Sequence, residues 1–291
     1  MKRYKNMNFI FVEYGNQPYP DGIKADLVEV AGHLDKTSVP DISNYSLHTE
    51  YSYGKRNLAS NLIRRYPKLY SSNKDGVPQL WKDKGWAVQF ASFVHSLTNE
   101  HAAPTVIEIH PPFNDYSSID SFLDFYTVFE EKIHAIYPDV KIVVENRAGS
   151  IYRGGKFVVS AAEEIAELCK KIRENNVRLG VVLDFPQLLT GELIHPECFD
   201  RGKYTNAVHM LVPYREVIKG IHIWGKKRSS TGRFVAHTGD LNTLFPDVDD
   251  KKVFLNGIKA ICDDEMSRFL VPEVNSGGED LRSVVKDVLS I

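Results

Sequence analysis

Apolar runs that stop on a histidine or a carboxylate recur through this chain of 291 residues. SLHTEY places His48 at such a point, VIEIHPP places His110, and IVVEN places Glu145. VVLDF does the same for Asp184, GIHIW for His222 and LVPEV for Glu273. One imidazole or carboxylate at the end of a strand is ordinary when a hydrogen bond satisfies it. Six that converged would repel or mispair unless a cation sat among them. Three imidazoles with three carboxylates make a nitrogen and oxygen donor set that suits Zn²⁺ or Mn²⁺, without the thiolates of a structural zinc site. A carboxylate among them can also bridge two ions.

Short β-branched runs alternate with amphipathic stretches along nearly the whole length, the pattern of βα units around a parallel sheet. Strands are expected over 8–14, 45–51, 105–110, 141–145, 179–184, 220–223 and 269–273. Helices are expected over 55–66, 85–100, 118–136, 160–175, 205–216, 250–262 and 279–289. The stretch 23–34 contains DLVEV, which reads as a strand, but Ile23, Leu27, Val30, Ala31 and Leu34 recur at helical spacing and favour a helix. No linker of Pro, Gly and Ser divides the chain, so residues 1–291 read as one domain. The fold class is α/β, a TIM barrel with a doubly wound sheet as the competitor, and only seven strands are clear where a TIM barrel needs eight. A barrel puts its active site at the C-terminal ends of its strands, where the six residues stand.

The chain holds 36 Lys and Arg against 38 Asp and Glu, which leaves no net drive toward nucleic acid or an anionic membrane. With 43% hydrophobic residues it is neither disordered nor fibrous. Its apolar runs are too short to span a bilayer, and Met1 to Lys5 leads into no signal-type segment, so a cytoplasmic location without membrane attachment is expected. Cys169, Cys198 and Cys262 are far apart and form no CxxC, which argues against disulfides and thiolate zinc.

At the polar strand ends the sequence resembles the xylose isomerase-like TIM barrel superfamily, and within it the endonuclease IV family of AP endonucleases. The resemblance spans about Asn8 to Asn275 and is carried by VVENRAGSIYRGGKF, RLGVVLDFPQLLTGE, IKGIHIWGKK and VPEVN. It implies one metal on His48, His110 and a bridging Glu145, and a second on Glu145, Asp184, His222 and Glu273. The family's third metal needs a His where this chain has Gln187 and an Asp where it has Val235, so only His237 of three ligands remains, with Asp240 as a substitute nearby. The resemblance also aligns FIFVEYGNQP with the family's second strand, which implies that the first βα unit is missing or replaced. A gapped barrel exposes two sheet edges, and a second chain covering them would make the protein an oligomer.

Two metals centred on Glu145 imply hydrolysis of a phosphodiester or sugar phosphate, with nucleic acid, DNA included, among the candidate substrates. Lys226, Lys227, Arg228 and Arg233 follow His222 and could meet an anion, and Lys55, Arg56, Arg64, Arg65 and Lys68 follow the His48 strand. Tyr51 stands where the endonuclease family places a DNA-contacting tyrosine, and His237 is a candidate substrate contact. The alternative is a sugar isomerase or epimerase with a single Mn²⁺ on Glu145, Asp184, His222 and Glu273, in which Glu145 and Glu273 exchange the substrate proton. A barrel that only binds a partner is a third reading. GSIYRGGKF is no phosphate loop, because Gly155 stands where Lys is required and Phe157 replaces Ser or Thr. His33, His95, His101, His134, His195 and His209 lie away from the expected strand ends and are read as surface or packing residues.

Overall fold

The structure, a computed structural model, describes residues 7–15, 18–19, 22–52, 60–70, 76–148 and 156–291. Lys55, Arg56 and Gly155 lie outside the described residues, as do residues 149–155 of the VVENRAGSIYRGGKF motif.

The described strands are β1 (Asn8–Glu13), β2 (Leu27–Gly32), β3 (Tyr45–Thr49), β4 (Val106–Ile109), β5 (Lys141–Glu145), β6 (Leu179–Asp184), β7 (Ile218–Ile223), β8 (Lys226–Arg228), β9 (Phe234–Ala236) and β10 (Ser267–Pro272). The helices are α1 (Ser60–Arg65), α2 (Lys84–Thr98), α3 (Ile119–Ile136), α4 (Ala162–Glu174), α5 (Phe185–Gly191), α6 (Arg201–Leu211), α7 (Leu241–Leu244), α8 (Val248–Cys262) and α9 (Gly278–Leu289). Eight strands form a closed barrel in the order β1-β10-β7-β6-β5-β4-β3-β2, and β8 and β9 make a separate antiparallel hairpin. This is the α/β TIM-barrel class. Among the described residues no helix is long and apolar enough to cross a membrane.

The expected gap does not exist, and with it goes the reason to expect a covering chain. The eighth strand is β2, in the segment whose periodicity favours a helix. Its register beside β1 is parallel, Val12 against Leu27 and Glu13 against Val28. Asp26 fastens the turn into it: its carboxylate accepts from the Phe11 N–H at 2.9 Å, and its own N–H donates to the Phe11 carbonyl at 2.8 Å. Val28 and Val30 are β-branched and fit a pleated surface, so pairing with β1 outweighs helical spacing. What is absent among the described residues is a helix between β1 and β2 or between β2 and β3.

By contacts the chain divides into two compact units. One comprises Met1–Glu29, Ala161–Lys170 and Val181–Ile291, and the other comprises Val30–Ser160 and Lys171–Gly180.

In the unit containing Val30–Ser160, β3, β4 and β5 run parallel, with Leu47 beside Ile107 and Ile107 beside Ile142. Gly32 lies so close to β3 that a Cβ there would come 2.8 Å from Leu47 Cδ1. Helices α2 and α3 are held by an aromatic cluster in which the Trp81 ring lies 5.0 to 5.5 Å from those of Trp86, Phe90, Phe122 and Phe129. Asp83 caps α2 through the Trp86 N–H, and Ser118 caps α3 through that of Ser121.

In the unit containing Val181–Ile291, β10 pairs with β1 on one side and with β7 on the other, and β7 pairs with β6. Arg268 is buried in β10, where its guanidinium donates to the Ile218 and Arg215 carbonyls and to both Asp264 oxygens. These bonds satisfy a charge that would otherwise be costly to bury.

Candidate metal centre

Strand periodicity gathers the first cluster, which lies wholly in the unit containing Val30–Ser160. Glu108 and His110 are two residues apart, so β4 points both to one face. His48 lies in β3, in register with Glu108, and Glu145 closes β5. His48, Glu108, His110 and Glu145 each offer a ligand atom, and these atoms all lie within 4.8 Å of one another. Glu108, His110 and Glu145 are buried. His48 Nε2 stands 3.5 Å from Glu108 Oε1, and His110 Nε2 stands 2.8 Å from Glu145 Oε2.

The opposite edge of the His110 ring fixes one of its hydrogens. Nδ1 lies 3.2 Å from the Glu50 carbonyl, which can only accept, so Nδ1 carries the hydrogen. Without a second hydrogen, Nε2 directs its lone pair at a carboxylate oxygen 2.8 Å away. Two acceptors so close need a proton or a cation between them, and a ring held by a backbone carbonyl on its far side is how proteins orient metal-binding histidines. The surroundings fix the same residues. Trp81 Nε1 donates to the His110 carbonyl at 2.7 Å, and Thr49 Oγ1 to that of Glu108 at 2.8 Å. The Glu50 carboxylate accepts from the backbone N–H groups of Leu34, Tyr51 and Ser52 and shapes the turn after β3.

Tyr51 covers this cluster, its ring centroid 5.6 Å from that of His48 and 5.7 Å from that of His110. His33 joins it, 5.0 Å from Tyr51 and 5.8 Å from His48. His33 is therefore part of the site's wall and not a remote packing residue.

The unit containing Val181–Ile291 holds a second group. Asp184 ends β6 fully buried and caps α5, its Oδ1 accepting from the Gln187 N–H and its Oδ2 from Trp224 Nε1, both at 2.8 Å. Glu273 stands between two imidazoles, Oε1 3.4 Å from His222 Nδ1 and Oε2 3.3 Å from His237 Nδ1. The His237 ring stacks on Trp224 at 4.6 Å and lies near-parallel to Tyr14 at 6.1 Å. Its backbone has φ 59°, a left-handed conformation uncommon outside glycine, and its carbonyl accepts from the Asn275 N–H. The ring contacts and that hydrogen bond hold it there.

This group does not assemble the third metal site of the resembled family. Val235 is exposed on β9. Asp240 caps α7 through the Thr243 N–H and accepts from Asn242 Nδ2 and Ser283 Oγ, so its carboxylate is already taken up. Although burial pushes its pKa up, those hydrogen bonds hold the carboxyl below the ordinary carboxylate range. Gly225 allows the hairpin to approach, since a Cβ there would collide with the Asp240 carbonyl.

Lys226, Lys227 and Arg228 form β8 and line a cavity of about 460 Å³ with His195, Glu197 and Phe234. Arg228 is paired with Glu197 at 2.6 Å and covers the Phe234 ring. Lys226 lies over the Trp224 ring, and burial lowers its pKa against the opposing pull of Asp184. His195, read from the sequence as a surface or packing residue, is exposed and lines this cavity.

Glu108, Trp81 and Trp224 carry no part in the sequence reading, and His33 is read there as a surface or packing residue. Glu108 was detectable as the residue two before His110 on the same strand face. His33 follows β2 as His110 follows β4, a signal hidden once 23–34 is read as helix. Neither tryptophan carries a sequence signal for its hydrogen bond.

No protein-family model matches this chain, and no curated protein matches it in sequence. In backbone path it is similar to the GH53 catalytic domain of Ignisphaera aggregans, with 9% identity and TM-score 0.45 over 99% of this chain and 96% of that one. It is also similar to a xylose isomerase domain protein of Alicyclobacillus acidocaldarius, with 10% identity and TM-score 0.39 over 84% and 78% of the two chains. A sugar phosphate isomerase/epimerase of Parabacteroides distasonis aligns with 10% identity and TM-score 0.39 over 91% and 86%. At such values the activity of this chain must be read from its own side chains.

Proposed function

We propose that this protein is a divalent-metal-dependent enzyme that hydrolyses a phosphodiester or sugar phosphate. The observation that carries the reading is the cluster of His48, Glu108, His110 and Glu145, with the His110 ring held so that Nε2 faces Glu145. Its donors are all imidazole nitrogen and carboxylate oxygen, which fits Zn²⁺ first and Mn²⁺ second. A bound ion there would supply Lewis acidity and lower the pKa of an attached water toward about 7. Glu145 is the candidate base beside that water, and Tyr51 and His33 wall the site. The sharing of Glu145 with a second ion on Asp184, His222 and Glu273 belongs to this proposal, as does anion binding by Lys226 and Lys227. Arg228 contributes less, because Glu197 already neutralises it. A DNA substrate and a cytoplasmic setting are part of the same proposal.

One observation favours a second reading. With Val235 exposed and Asp240 engaged in capping, a three-metal phosphodiesterase centre has no support, whereas a single-metal isomerase or epimerase needs none of those residues. There Glu145 and Glu273 would act as the proton-exchanging pair, with His237 holding Glu273 in place.

Metal analysis of protein purified without chelator or affinity metal, followed by assays on an abasic-site duplex, bis(p-nitrophenyl) phosphate and a panel of ketoses, separates the readings. Bound Zn²⁺ with phosphodiester turnover lost in Glu145→Ala supports the hydrolase. Bound Mn²⁺ with ketose epimerisation replaces it by the isomerase, and protein that takes up no metal overturns both.

A further inference from the structure

Arg147 follows β5 two residues after Glu145, and its place in the proposed mechanism is unassigned. Its backbone is pinned: the N–H donates to the Val159 carbonyl at 2.9 Å, and its carbonyl accepts from Ser160 Oγ at 2.6 Å. The guanidinium lies between two rings, 5.0 Å from the centroid of Tyr51 and 5.6 Å from that of Phe157. Phe157 is itself stacked on Phe113 at 4.1 Å in a small apolar cluster with Val77 and Tyr116. Nε is buried and has no hydrogen-bond acceptor among the described residues.

Two aromatic faces offset part of the cost of removing a guanidinium from water. They leave the in-plane Nε–H without an acceptor among the described residues, and the planar fork is suited to two oxygens of one anion. The same Tyr51 ring that carries the guanidinium touches the rings of His48 and His110. An anion on Arg147 would thus belong to a molecule that also reaches the metal cluster.

We propose that Arg147 is the binding residue for an oxyanion, a phosphate or a carboxylate, of the substrate held at the His48, Glu108, His110 and Glu145 cluster. The assignment of that oxyanion to a substrate rests on the metal-enzyme reading, but the anion site itself does not.

The test titrates inorganic phosphate and, separately, acetate into the full chain after dialysis against EDTA, followed by calorimetry. Wild type, Arg147→Met, which keeps an apolar stem over the rings, and Arg147→Lys, which keeps the charge without the fork, are compared at equal melting temperature. Wild type should bind one of the two anions, and the preferred one identifies the substrate's group. Arg147→Met should bind it at least tenfold more weakly, and Arg147→Lys should fall between. Equal affinity in wild type and Arg147→Met, or no binding of either anion by wild type, overturns the proposal. If Arg147→Met does not fold, Arg147→Lys carries the comparison, and affinity equal to wild type overturns it. Metal uptake is measured on the same samples after reloading. Wild type that takes up no metal would sink the proposed function while leaving the metal-free titration readable.

Discussion

His110 Nε2 lies 2.8 Å from Glu145 Oε2 while the opposite nitrogen of the same ring lies 3.2 Å from the Glu50 carbonyl. One hydrogen on Nδ1 satisfies the carbonyl and leaves Nε2 and the carboxylate to share a proton or a cation. The relationship turns a contact between β4 and β5 into a metal-binding prediction.

His110→Ala and Glu145→Ala should each lose the bound ion. Glu108→Gln, which keeps its shape but not its charge, should weaken metal affinity by at least about tenfold. Inductively coupled plasma measurements on protein of unchanged circular dichroism check this. Full metal in all three variants would remove the cluster from consideration.

Trp224→Phe should destabilise the fold by about 1.5 to 3 kcal/mol, because it deletes a buried hydrogen bond to the Asp184 carboxylate and part of the stack on His237. Urea unfolding measures the loss. A change below half a kcal/mol would mean that the indole does not hold Asp184.

Gly32 offers a test of sign. Were residues 23–34 helical, Gly32→Ala would stabilise by up to about 1 kcal/mol. In β2 the added methyl meets Leu47 at 2.8 Å, so destabilisation by about 1 to 3 kcal/mol is expected from thermal melts.

Burial raises the Asp264 carboxyl pKa, but the paired hydrogen bonds and charge of Arg268 outweigh it and hold the group below the ordinary carboxylate value. A lowered folded value stabilises the fold at pH above the unfolded value of about 3.9, and that contribution disappears as pH falls through the folded one. Asp264→Asn should therefore cost about 3 to 5 kcal/mol at neutral pH, since it strands the buried Arg268, and should flatten the fall in stability below about pH 4. Denaturant unfolding from pH 2 to 7 reads both effects.

The three thiols differ in exposure. Burial pushes the Cys262 thiol up to about 12, Cys169 is buried, and Cys198 is exposed. Ellman's reagent should label one thiol in the native protein and three after denaturation. Rapid native labelling of more than one would contradict the packing around α4 and α8.

Seven of the eight barrel strands were visible as β-branched runs between amphipathic stretches, and His48, His110 and Glu145 were visible because each ends or follows such a run. Local periodicity records which face a residue shows, and for these elements the local pattern and the long-range pairing agree. For β2 they disagree. The spacing of Ile23, Leu27, Val30 and Leu34 is helical, yet Val12 and Asp26 hold the segment as a strand. Glu108 lay in plain view inside VIEIH, but its part in the cluster depends on the β3 to β4 register that sets it against His48. The indole of Trp224 reaches Asp184 across 40 residues of sequence, and Ser283 reaches Asp240 across 43. Bonds that span such separations leave no periodic trace. They exist because packing brings the partners together, and they decide which carboxylates cap helices and which stay available for chemistry.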